Sequence, residues 1–255
     1  MTKILIPIET SIGERRVSAT PETVKKLKNL GCDVYIEKSA GELSGFKDFS
    51  YEESGGIIFT EQDFNAWKEV DIIFCIHCPD YEKLNKLKEG CLIIGLLNPF
   101  GNKDLAKLLS DLKLSAIALE LLPRISRAQS SDVLSSQANI AGYKSVLLAA
   151  SELDRYFPML MTAAGTVQPA KVVVLGGGVA GLQAVATAKR LGALVFVSDI
   201  RPAVKEQVES LVQNLLIYQR SMKSLKSLVD MLKLFQQNFL KSKDQFSLNI
   251  YQKQM

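Results

Sequence analysis

A parallel α/β fold in two domains is predicted by three observations on this 255-residue chain. Residues 1–123 alternate short β-branched runs with helix-like segments. Residues 171–202 repeat the strand–helix–strand order with a glycine-rich turn inside it, and a long helical segment lies between the two regions. With 47% hydrophobic residues the chain can bury a substantial core, and its length suits one or two domains.

In the N-terminal region the strand candidates are residues 3–8, 33–37, 72–76, 91–97 and 115–119. Between the first two, Thr20 supplies an N-cap, Pro21 a first helical residue and Glu22 an early acid, while Gly31 ends the helix. Residues 131–157 place Ile140, Tyr143, Leu147, Ala150 and Leu153 near helical spacing, with Pro158 as a stop. The following MLMTAAGTVQPA reads as a connecting loop. The expected division is an N-terminal α/β domain over 1–130, a connecting helix and loop over 131–165, the start of a second domain over 166–211, and a tail over 212–255.

The second domain opens with KVVVL, an unbroken β-branched run suited to a strand buried on both faces. Gly176, Gly178 and Gly181 follow at G-x-G-x-x-G spacing. Gly176 permits the tight turn, Gly178 lets backbone approach a pyrophosphate, and Gly181 lets the helix pack on the strand. Val179 and Ala180 fall in the first helical turn, where free N–H groups and the positive dipole end favour phosphate. A second apolar run, ALVFVSD, ends in Asp199, whose carboxylate can accept from an adenosine ribose. Asp199 selects NAD(H), because a carboxylate beside Arg201 would repel the 2′-phosphate of NADP. The whole arrangement is Rossmann-like, so the fold class is α/β with two Rossmann-like parallel-sheet domains.

Composition narrows the function classes. No basic-then-apolar segment precedes KILIPI, and the longest uncharged run, 172–188, is broken by glycines and Gln183, so neither secretion nor membrane insertion is expected. Cys32, Cys75, Cys78 and Cys91 are too few and too irregular for a disulfide framework, which fits a reducing cytosol. Cys75-Ile-His-Cys78 lies in an apolar run ending at Pro79 and has no second ligand pair, so it reads as buried strand cysteines and no metal is expected. The formal charge of +4 belongs to the tail: from Val212 onward seven basic residues face two acidic ones. The body carries no basic footprint for nucleic acid.

Several long segments resemble the NAD(H)-binding alpha subunit of proton-translocating NAD(P) transhydrogenase: GERRVSATPETVKKL (13–27), GLLNPF (95–100), ALELLPRISRAQ (118–129), RISRAQSSDVLSSQANIAGY (124–143) and GGGVAGLQAVATAKRLGA (176–193). Alanine dehydrogenase shares the fold and the ERRV-then-ATP opening. Its pattern differs in having a catalytic histidine where this chain has IIGLLNPF and a lysine where it has residues 75–79. The resemblance implies that NADH on this subunit passes hydride to NADP⁺ on a partner subunit, which requires positioning of two rings and no acid, base or nucleophile. It further implies membrane and NADP-binding partner subunits, a homodimer, and a cytoplasmic place at the bacterial inner membrane. Arg124, Gln129, Asp132 and Ser135 are implied as the residues around the nicotinamide, although Asp132 equally suits a helix N-cap. Ser131 replaces the family's usual methionine and Ile8 its usual lysine, and the first of these is expected to loosen the nicotinamide site.

Resemblance ends at Leu211. The 44 residues after it contain no Gly, Ala, Pro, Thr, Glu, His or Cys. Codons that can encode the family's next residues, Gly-Ala-Lys-Phe-Ile, and the bases after them, read one base late, give VQNLLI, which is 212–217 here. Codons for its Gly-Gly-Tyr-Ala-Lys-Ala-Ile-Ser and the two residues after, shifted likewise, give VDMLKLFQQN, which is 229–238. The expectation is a frameshift that leaves the second domain incomplete, with an unpaired strand edge and weak or absent NADH binding.

Overall fold

The structure, a computed structural model, describes residues 1–60, 65–199 and 201. The tail and its expected frameshift lie outside the described residues. The chain divides into two compact units, Met1–Leu134 and Ser135–Met255.

Unit 1 runs β1 (Lys3–Ile6), α1 (Pro21–Asn29), β2 (Asp33–Glu37), α2 (Asp48–Glu53), β3 (Ile57–Phe59), α3 (Asn65–Glu69), β4 (Ile72–His77), α4 (Tyr81–Leu84), β5 (Leu92–Leu96), α5 (Lys103–Asp111) and β6 (Ser115–Ala118). The strands form one sheet in the order β3-β2-β1-β4-β5-β6, every pair parallel. This is the doubly wound Rossmann order, which reverses between β1 and β4. Alternation along β1 shows why both faces are covered. Ile4 and Ile6 join Val24 of α1, Val34, Ile36 and Tyr51 of α2 in one buried cluster. Leu5 joins Trp67 of α3, Ile73, Leu84 of α4, Ile93, Leu105 and Leu109 in the other. Thr20 Oγ1 accepts from Thr23 N at 3.3 Å to cap α1, and Gly31, at φ +83°, turns the chain into β2.

The expected strands are present, shorter at some ends, and β3 is an addition. Its three residues lie at the sheet edge with Ile57 42% exposed, too short and too solvated to leave a period-two signature.

Unit 2 is built from α6 (Val133–Glu152, which begins two residues before the boundary), β7 (Leu160–Thr162), β8 (Gly165–Val167), β9 (Lys171–Leu175), α7 (Val179–Arg190) and β10 (Leu194–Ser198). β9 and β10 pair in parallel from Lys171↔Leu194 to Leu175↔Ser198, and α7 is the crossover between them. Val146, Phe157, Ala170, Ala184, Val185, Ala188, Val195 and Val197 form its buried core. Among the described residues the second sheet thus has the two strands of one βαβ unit.

Two local expectations are corrected. α6 stops at Glu152 because the chain leaves it to bury Phe157, whose carbonyl accepts from Ala170 N at 3.0 Å. The segment expected as a loop holds an antiparallel hairpin, with β7 and β8 joined through Ala163 and Ala164, followed by Gly165 at φ +131°. That turn contains no Asn-Gly or Asp-Gly to announce it. α6 also meets α7 closely: a Cβ on Gly142 would lie 2.1 Å from Ala180 O, and Asn139 Nδ2 donates to Gln183 Oε1 at 3.2 Å.

Candidate functional site

The glycine turn between β9 and α7 is shaped by backbone geometry. Gly176 takes φ +96°, a conformation costly for any residue with a Cβ. Its N–H donates to Ser198 O at 2.7 Å, continuing the β9–β10 ladder to the turn itself. A Cβ on Gly181 would lie 1.8 Å from Gly176 O, so the first turn of α7 presses directly against the strand end. Gly178 has different surroundings. It has ordinary dihedrals (φ −75°, ψ −172°), and a Cβ built there meets, among the described residues, a single atom within 4 Å, Nη2 of Arg201 at 3.9 Å. Val179 and Ala180 follow in the first turn of α7, where leading N–H groups have no carbonyl partner inside the helix.

Asp199, just beyond β10, closes this turn from the other strand. Its Oδ2 accepts from Gly177 N at 2.7 Å. Arg201 adds three bonds to the same carboxylate: backbone N to Oδ1 at 2.8 Å, Nε to Oδ1 at 3.0 Å and Nη2 to Oδ2 at 2.8 Å. The Asp199 side chain is 8% exposed and that of Arg201 58%. The guanidinium, with help from the two backbone donors, holds the Asp199 carboxyl well below the usual carboxylate range. Gly176, Gly178, Gly181, Asp199 and Arg201 are therefore gathered at one place in unit 2.

The residues implied around the nicotinamide are distributed differently. Arg124, Gln129 and Asp132 belong to unit 1, and Ser135 opens unit 2. Gln129 lies in the 3₁₀ turn Ser126–Ser131, and its carbonyl accepts from Asp132 N at 3.2 Å. Asp132 immediately precedes α6, with Arg124 and Gln129 exposed.

A second polar cluster, without a signature in the sequence, lies where β1 and β4 part in unit 1. Glu9 accepts from Ile76 N at 2.6 Å and His77 N at 3.1 Å, serving backbone where the β4–β5 register shifts. Burial raises the Glu9 pKa, with the two backbone donors opposing. Glu14 bonds Arg16 and meets His77 Nε2 at 2.9 Å, and chiefly through Arg16 its pKa falls to about 2. Glu37 and Lys83, 3% and 9% exposed, pair at 3.3 Å. Glu37 Oε2 also accepts from Ile8 N at 2.8 Å. Ile8, Glu9, His77, Cys78 and Lys83 line a cavity of about 10 Å³, room for roughly one water. Side chains that meet across 46 or 63 positions leave no local signal in a sequence.

Cys75 is buried in β4, and its thiol donates to Ile94 O at 3.6 Å. Burial raises the Cys75 pKa strongly and lifts Cys78 and Cys91 to about 11, so all three stay protonated thiols at neutral pH.

Known proteins share the fold. The alanine dehydrogenase/PNT N-terminal domain matches residues 5–141, and the alanine dehydrogenase/PNT C-terminal domain matches residues 145–235, a span running past Leu211. The chain is 47% identical over 214 residues to the first segment of the NAD(P) transhydrogenase alpha subunit of Rhodospirillum rubrum, covering 82% of this chain and 56% of that protein. It is 44% identical over 206 residues to NAD(P) transhydrogenase subunit alpha of Haemophilus influenzae, covering 81% and 40%. Alanine dehydrogenase 2 of Staphylococcus aureus is more distant, 32% identical over 212 residues. Among solved structures, transhydrogenase from Sinorhizobium meliloti superposes with a TM-score of 0.82 at 44% identity, covering 88% of this chain and 64% of that one. An L-alanine dehydrogenase gives 0.74 at 29% identity, covering 86% and 61%. The chain spans about half the length of the curated relatives it matches. On the match of both domains, the chain belongs to the alanine dehydrogenase/PNT family, and within it is more similar to these NAD(P) transhydrogenase alpha subunits than to these alanine dehydrogenases.

Proposed function

We propose that this chain is the NAD(H)-binding component of an NAD(P) transhydrogenase. The observation that carries the reading is the lock between Asp199 and Gly177 N, which fixes a ribose acceptor beside an open phosphate turn. The residues present fit the adenosine half of a dinucleotide. Gly178 leaves space over the backbone, the leading N–H groups of α7 favour phosphate, and Asp199 disfavours the 2′-phosphate of NADP.

When bound, NADH would supply the hydride. The chain's own work is then positioning. Gly176, Gly178, Val179, Ala180 and Gly181 form the phosphate turn, Asp199 takes the ribose, and Arg201 stands beside both. Arg124, Gln129, Asp132 and Ser135, by family resemblance, orient the nicotinamide, with Gln129 offering both a donor and an acceptor. NADP(H) is assigned to a partner subunit, with a membrane subunit coupling the reaction to proton translocation. We assign the chain to a homodimer on the cytoplasmic side of the bacterial inner membrane. Among the described residues no helix is long and apolar enough to cross a membrane.

The composition beyond Leu211 favours a second reading, a non-catalytic remnant of this subunit produced by a frameshift. Titrating the 255-residue protein with NADH, followed by fluorescence, separates the two. Low-micromolar binding, with NADPH at least about tenfold weaker, supports the first reading. No binding of either supports the second, and resequencing across the codons for Leu211 and Val212 then locates the displaced base.

A further inference from the structure

The Asp199 carboxylate has about four acceptor positions, and all four are in use. Gly177 N and Arg201 Nη2 occupy Oδ2, while Arg201 N and Arg201 Nε occupy Oδ1. Two of these belong to the backbone and stay as long as the turn keeps its shape. The other two are a guanidinium fork, one N–H to each oxygen. A vicinal diol presents two hydroxyl donors to a carboxylate in the same way, one per oxygen. We infer that Arg201 is a latch on the ribose acceptor: its fork holds the two positions on Asp199 that the 2′- and 3′-hydroxyls of an adenosine ribose would take, so NADH enters by displacing it.

This inference rests on the reading that unit 2 binds NAD(H), and it names a competitor that the reading alone does not contain. The side chain of Arg201 is 58% exposed, so the latch is held weakly and its head can move into water. Its Nη2 also lies 3.9 Å from a Cβ built on Gly178, which places the fork at the edge of the phosphate turn as well as on the acid. Removing the guanidinium leaves the Arg201 N and Gly177 N bonds intact and frees two acceptor positions. The latch therefore predicts a gain in affinity where an ordinary ligand arginine predicts a loss.

The test compares the full 255-residue chain with its Arg201→Met variant, which keeps the length of the stem and removes the fork. The NADH dissociation constant should fall about threefold to fivefold, the range expected for removing an exposed ion-pair competitor. NADPH, which lacks the free 2′-hydroxyl, should not tighten. In the ligand-free protein the Arg201 Nε–H resonance should be protected from exchange and should lose that protection in Asp199→Asn. Unchanged or weaker NADH binding in Arg201→Met overturns the latch, as does an unprotected Nε–H. If neither the parent nor the variant binds NADH, the cofactor reading itself fails, and the latch as a gate to that cofactor falls with it.

Discussion

The carboxyl ends of β1 and β4 in unit 1 and the carboxyl end of β9 in unit 2 occupy corresponding places in parallel sheets, where α/β folds bind their ligands. In unit 1 that place is filled by the chain's own side chains. Glu9 covers two backbone N–H groups, Glu14 joins Arg16 and His77, and Glu37 pairs with Lys83, with a cavity of about 10 Å³ left beside Glu9, His77 and Lys83. In unit 2 the turn is glycine, with only Arg201 among the described residues within 4 Å of a Cβ built on Gly178, and that exposed arginine reaches over to Asp199. The topology supplies a crevice in both; residue type decides whether it is closed. Where carboxylates and their ion-pair partners occupy the strand ends the crevice becomes structure, and where the backbone at Gly178 has no side chain over it the space remains available to a phosphate.

The largest effect tests how far unit 1 is closed by its ion pair. Lys83→Met would strand the buried Glu37 carboxylate, and removing one member of a buried pair costs about 3–5 kcal/mol. Lys83 Nζ also lies 5.3 Å from the Trp67 ring centroid, adding to the loss. Adding Glu37→Gln should recover much of the stability, because no charge is then left uncompensated. Chemical denaturation of the two variants checks this; a single-variant loss under about 1 kcal/mol would show that water reaches the pair and that the crevice of unit 1 is open.

Next in size is Gly181→Ala. Its new Cβ would meet Gly176 O at 1.8 Å, and the obstacle is backbone in a turn already at positive φ, so α7 must move off β9. Overpacking of this kind costs about 1–3 kcal/mol, read as a lower Tm for unit 2 with unit 1 unaffected. Equal destabilisation of both units would mean that they do not melt independently.

Much of this is legible in the sequence, for reasons that differ by element. β1, β2, β4, β5 and β6 announce themselves as β-branched or apolar runs, and the glycine turn with Asp199 at the next strand end is a pattern confined to one stretch of chain. The hairpin β7–β8 stays hidden because its Ala163-Ala164 turn carries no turn-forming residue. Gly142 gives no sign of its role, since a glycine inside a helical pattern reads only as a cost until the partner helix 2.1 Å from its missing Cβ is known. The Glu9, Glu14–His77 and Glu37 contacts need the fold, since each joins segments that only the sheet order brings together, whereas Glu14–Arg16 is a local pair.

Acidification separates the carboxylates of unit 1 from one another. Glu14 titrates at about 2 when folded, below its ordinary value of 4.5, chiefly through Arg16. A depressed acid contributes stability that is complete above about 4.5 and is lost as pH falls toward about 2. Glu9 acts in the opposite sense, because burial raises its pKa and protonation then relieves the cost of a charge held away from water. Glu14→Gln should therefore flatten the fall of Tm between pH 4.5 and 2 while lowering Tm at neutral pH. An unchanged acid limb in that variant would assign acid sensitivity to other groups.

The smallest effect on stability gives the sharpest test of unit 2 as an open site. Gly178→Ala introduces a methyl group at φ −75° and ψ −172°, dihedrals open to any residue, with no atom of the described residues closer than 3.9 Å. Stability should stay within about 0.5 kcal/mol, with the restricted unfolded chain working slightly in the variant's favour. If the space above Gly178 is where a pyrophosphate meets the turn, the same methyl group stands in its path, and NADH affinity should drop about tenfold or more. Gly181→Ala and Gly178→Ala, three residues apart, would then fail in different ways, one by unfolding unit 2 and the other by excluding a ligand from a folded unit. A Gly178→Ala protein that binds NADH as tightly as the parent would place the phosphates elsewhere and remove the distinction drawn between the closed crevice and the open one.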